Sequence, residues 1–205
     1  YFVPVLTWRL CTYYTNSGVT KTENGSFKLF FDGVLVDEES NQPNSPAIDH
    51  FITIGTRTNS GNIYQDYFSG LIDDARIYNR ALSDAEIQEL YLEDSLSAGL
   101  VAHYPFEGNA NDASGNGNNG AENGGITYAT GVDGQAASFD GSSKVLASNP
   151  FGASSSPIEI TVSAWINTQT TKYRAGIVAQ HAACGGNGPN RFYMQIAGHS
   201  NDRNV

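Results

Sequence analysis

Residues 70–91, GLIDDARIYNRALSDAEIQELY, decide how the rest of the chain is read. Phe68 just ahead of them, then Ile72, Ala75, Ile77 and Tyr78, make a short β-favouring run. Its apolar positions are interrupted by Asp73 and Asp74, and the break in strict alternation predicts a β-bulge at that acidic pair. Ser83 and Glu86 then have the spacing of a capping box, and Asp84 stands where the positive end of a helix favours an anion. Ile87, Leu90 and Tyr91 share one apolar face. So brief a helix is marginal alone and must pack on a sheet. The stretch reads as a last core strand, a turn and a capped helix, an ending placed mid-chain.

Downstream lies a beginning. After the linker-like LEDSLSA of residues 92–98, residues 99–120, GLVAHYPFEGNANDASGNGNNG, read as an opening strand from Leu100 to Phe106. The Asn- and Gly-rich loop that follows requires positive φ at several positions. Residues 136–139 and 144–147 flank Asp140-Gly141 and predict a hairpin, and residues 158–166 a long strand with Ile160, Val162, Ala164 and Ile166 on one face. Residues 175–180 and 191–197 are further strands around the loop HAACGGNGPN.

Upstream, YFVPVLTWRLCTYY is strand material, and TNSGVTKTENGS, residues 15–26, reads as a polar loop. Phe27, Leu29 and Phe31 alternate before an Asp32-Gly33 turn, with Val34 and Val36 after it, which is a hairpin signal. Residues 37–50 carry Pro43 and Pro46 and read as a loop, residues 51–55 as a strand, and residues 56–66 as a polar turn.

Composition agrees with short strands. Of 205 residues only 16% are charged, Gly numbers 22, and Tyr and Phe number 11 and 10. A net charge of −10 repels phosphate backbones, and the Lys and Arg residues do not cluster, so no nucleic-acid partner is expected. No apolar run reaches membrane-spanning length.

Residues 70–87 resemble the close of a laminin-G-like, concanavalin-A-like jelly-roll domain, almost position by position. That family's opening motifs are matched by Pro105 to Gly120, by Gly131 to Gly141 and by Ser163 to Ile166. The resemblance covers nearly the whole chain and departs from the family in order. It implies an all-β antiparallel sandwich, a jelly roll with one short helix. Residues 1–95 correspond to the C-terminal half of such a domain and residues 96–205 to its N-terminal half, together one domain completed within the chain or by a neighbouring copy. A half jelly roll leaves a core face and its edges uncovered, so the halves must meet. Circular permutation, exchange of halves along a polymer, and a window on a repeat array all produce this order. The absence of an initiator Met at Tyr1 favours a repeating or head-to-tail filament.

The resemblance also implies a structural calcium. Asp112, Ser114, Asn116 and Asn118 alternate in the Gly-rich loop, with Asp73 and Asp74 nearby in the family fold, and hard oxygens on a turning backbone suit Ca²⁺. The alternative is an Asx-turn loop whose side chains bond their own backbone. Cys11 and Cys184, one in each half and close in the restored order, are expected to form a disulfide in an exported protein. His181 near Cys184 lacks the further ligands a zinc site needs. Trp8, Trp165 and the tyrosines are possible sugar-stacking surfaces, although Trp165 in its alternating strand is expected in the core. Asn24-Gly25-Ser26 is a glycosylation sequon. No carboxylate pair, nucleophile elbow or P-loop supports catalysis. The expectation is a non-enzymatic, secreted or cell-surface module, the repeating unit of a filament, matrix or adhesin stalk, whose partners are other copies of itself, with glycans or cell-surface proteins as further candidates. The alternatives are a glycan-binding adhesion domain and an accessory domain of a hydrolase.

Overall fold

The computed structural model describes residues 5–7, 15–23, 26–40, 51–58, 64–93, 96–151, 159–168, 174–180 and 193–197. In chain order these form β1 (Val5–Thr7), β2 (Thr15–Lys21), β3 (Phe27–Phe31), β4 (Val34–Glu39), β5 (Ile52–Ile54), β6 (Arg57–Thr58), β7 (Tyr64–Gln65) and β8 (Ser69–Tyr78). Helix α1 (Asp84–Glu93) follows, then β9 (Leu100–Tyr104), β10 (Gly120–Asn123), β11 (Thr127–Thr130), β12 (Gln135–Asp140), β13 (Lys144–Ala147), β14 (Ile160–Asn167), β15 (Arg174–Gln180) and β16 (Tyr193–Ala197).

The strands make two large sheets. One runs β1-β16-β15-β5-β13-β10; the other runs β11-β12-β8-β14-β2-β3-β4, with β9 also paired to β8. All neighbours are antiparallel except β1 and β16. Between the sheets lies the main core, where Ile52, Ile54, Val145 and Ile177 of the first meet Ile72, Ile77, Val162 and Ile166 of the second. Each sheet takes strands from both sides of residues 92–98. The fold is an all-β sandwich with one helix among the described residues.

At the centre sits β8, and the predicted bulge organises it. Asp73 pairs with Trp165 and Arg76 with Ser163, so Asp74 and Ala75 stand against the single residue Ala164, and Asp74 has φ 49°. The bulge divides one edge of β8 between two partners: residues 69–72 pair with β12 and residues 75–78 with β9. On its other edge β8 pairs with β14 from Leu71 to Tyr78, interrupted at the bulge.

Helix α1 packs on the outer face of this sheet over a second cluster of Phe30, Tyr78, Leu82, Ile87 and Leu90. The capping box forms as predicted, with Ser83 N donating to Glu86 Oε2 at 2.8 Å and Glu86 N to Ser83 Oγ at 3.3 Å. Thr161 ties the approach to the helix onto β14, its Oγ1 accepting from Leu82 N and donating to Arg80 O, both at 2.9 Å.

Several expectations are corrected. Residues 15–21, read as polar loop, are β2, paired on both edges between β14 and β3. Their outer face holds Thr20 and Gly18, so the run lacks the apolar alternation that announces a strand. Residues 135–140 and 144–147 form no hairpin, because β12 and β13 lie in different sheets. The Asp140 carboxylate accepts from the amides of Ser142 and Ser143, both at 2.8 Å, and turns the chain across the sandwich edge. The actual hairpin is β11 with β12. Residues 37–39, read as loop, extend β4. The hairpin of β3 and β4 forms as expected, with positive φ at Asp32 and Gly33.

Candidate functional site

The loop of residues 107–119 hangs from β9. Gly108, Gly115 and Gly117 take positive φ, as the composition requires. Asp112 organises the turn: Oδ1 accepts from His103 N and Ser114 N, and Oδ2 from Asn118 N, all at 2.9 Å. These amides hold its carboxyl below the ordinary aspartate range against the opposing effect of burial, which is the largest single influence. Asn118 Nδ2 donates to Val101 O at 2.8 Å, Asn116 Nδ2 to Leu100 O at 3.1 Å, and Ser114 Oγ to Val101 O at 3.3 Å. The four loop residues expected to ligate calcium are thus brought together, and their side chains turn onto the protein's own backbone.

The acidic pair of β8 is divided by the bulge. Asp74 Oδ1 meets Arg76 at 3.0 Å and His103 Nε2 at 2.5 Å. Asp73 is almost fully buried, and its Oδ2 accepts from Val132 N at 2.7 Å. Burial pushes the Asp73 carboxyl up to about 6, against the lowering by the amides of Val132 and Asp133. It has no cationic partner among the described residues. The six expected ligands are therefore distributed over three hydrogen-bond systems. Among the described residues no group of three or more His, Cys, Asp or Glu is placed to hold a metal ion.

One carboxylate escaped the sequence reading. Glu107 Oε1 accepts from Gln135 N at 2.9 Å, on the same 131–135 turn whose Val132 amide Asp73 holds. Its signal was the acidic position of the Pro-Phe-Glu-Gly motif, read only as an opening landmark. Asp73 and Glu107 thus each hold an amide of the same turn.

Trp165 is corrected from the core to the opposite face. Ile160, Val162, Ala164 and Ile166 point inward as predicted, which places Trp165 outward, half-buried beside α1, with its ring centroid 5.4 Å from that of Tyr91. Trp8, Cys11, Asn24, His181 and Cys184 lie outside the described residues, so the disulfide expectation does too.

An apolar surface also went unread. On β4, the last strand of its sheet, Val34, Leu35 and Val36 are 62%, 37% and 55% exposed. Asp37, Glu38 and Glu39 follow them directly.

Residues 7–88 match the laminin G family model described as the concanavalin A-like lectin/glucanases superfamily. No curated protein and no solved structure matches the chain. No helix among the described residues is long and apolar enough to cross a membrane.

Proposed function

On the premise that residues 7–88 carry a laminin-G-like domain of the concanavalin A-like superfamily, we propose that this protein is a non-enzymatic, extracellular structural module. Its β-sandwich is of the kind used for adhesion or carbohydrate binding. In this reading it is the repeating unit of a surface filament, matrix or adhesin stalk, and its partners are further copies of itself. The observation that carries the reading is the sharing of both sheets by the segments on either side of residues 92–98. Segments that complete one another inside a chain can also be exchanged between copies by swapping. The exposed Val34-Leu35-Val36 edge of β4 supports self-association, since an apolar edge strand left open is a template for another chain. Light scattering of the purified protein across a concentration series tests this. The proposal expects mass to rise above 22.0 kDa, and a constant monomer mass contradicts it.

Calcium belongs to the proposal as a structural ion at the bulge end of the sandwich. Its support is the buried Asp73 carboxylate without a cationic partner among the described residues. Melting in calcium should exceed melting in chelator, and Asp73→Asn should remove the difference. Equal melting temperatures would remove calcium from the proposal.

Glycan binding is the second reading, and the half-buried Tyr91 and Trp165 rings favour it. A glycan array discriminates: signal lost on Trp165→Ala supports the adhesion-lectin reading, and a blank array leaves the structural one.

A further inference from the structure

We propose that Asn116-Gly117 is a self-modifying site, at which deamidation releases the 107–119 loop from β9. The main-chain nitrogen of Gly117, giving its proton to solvent base, attacks Cγ of Asn116. Nδ2 takes a proton from solvent, its bond to Cγ breaks and ammonia leaves, closing a succinimide ring. Water then opens the ring to aspartate or isoaspartate.

The loop provides the parts. The Gly117 amide donates no hydrogen bond among the described residues, and an added Cβ there would meet nothing within 4 Å, so the nucleophile is free and has room to move. Asn116 is exposed. Two other Asn-Gly pairs fall among the described residues, and each is restrained. Gly120 N is committed to Ala110 O at 2.8 Å, and a Cβ on Gly120 would lie 2.4 Å from Val145. Asn123 is held in β10 opposite Lys144, with Gly124 walled by Ser143.

The consequence follows from what Asn116 does. Its Nδ2 latches the loop to β9 through Leu100 O at 3.1 Å and Val101 O at 3.3 Å, and braces Ser114 Oγ at 3.0 Å. A carboxylate in its place donates to none of these and adds negative charge to a turn already built on Asp112. The change is irreversible, so the loop records the age of the protein.

The test is to hold the intact protein in warm, mildly alkaline buffer and map its peptides, using enzymatic methylation of isoaspartate as readout. The expected result is isoaspartate at 116 in several-fold excess over 119 and 123, with matching ammonia release and faster amide exchange across residues 100–104. Gly117→Ala should suppress the modification at 116. Because φ of +77° strains that alanine, Asn116→Gln, which keeps the donor and disfavours ring closure, is the second variant. Conversion first at 119 or 123, or none at 116 while free peptide of the same sequence converts, overturns the proposal.

Discussion

Glu86 joins three functions in one carboxylate: it accepts from Ser83 N and Ser83 Oγ, and pairs with Arg80 at 2.9 Å. The Arg80 hydrogen bond is the largest influence holding it down at about 2, from an ordinary 4.5. A depressed carboxyl stabilises the fold above its unfolded pKa and loses that contribution as pH falls through its folded value. The wild type should therefore lose stability between about pH 4.5 and 2 in part through this group, and Glu86→Gln, able to keep the cap, should lose less over the same range in acid melts. Ser83→Ala removes the other half of the box and should cost about 1 kcal/mol in denaturant unfolding. Gly55 is constrained otherwise: its φ is +81°, and a Cβ there would lie 2.3 Å from the buried Phe139 ring. Gly55→Ala should cost about 1–3 kcal/mol or more by combined strain and overpacking.

Elements whose chemistry is local are legible in the sequence itself. The capping box, the Asp32-Gly33 turn and the inward side of β14 follow from residue types at fixed spacing. So does the bulge at Asp73-Asp74, although its role in handing β8 from β12 to β9 depends on partners distant in sequence. β2 was illegible because its strand character comes from neighbours on both edges, not from TNSGVTK itself. The Asp140-Gly141 turn misled because a turn signal does not say whether the chain returns to the same sheet. The calcium motif was read as one set, while the bulge sends its acids to different partners. β4 carries the test at this scale. Val36→Lys on its exposed stretch should leave melting within about 0.5 kcal/mol of wild type and lower the associated mass in light scattering, because an edge lysine opposes strand addition. Unchanged association would move the contact surface elsewhere.

At the scale of the whole molecule, the described strands on either side of residues 92–98 share both sheets of one sandwich. β8, within the family match, lies between β12 and β14, which come from beyond it. The core is shared between the segments: Ile72 and Ile77 pack in one cluster with Val145 and Ile177 from the other side of the linker. Separation would expose apolar core surface of both segments and the paired edges of β8, a heavy cost against the roughly 5–15 kcal/mol by which domains are stable. The most direct measurement is to insert a protease site beside the exposed Leu92, cleave the folded protein, and follow the pieces by native chromatography and by unfolding. The two pieces should stay together, co-elute, and unfold in one transition with one midpoint. Pieces that separate under native conditions, or unfold independently, would contradict the interleaved sandwich and the structural function proposed from it.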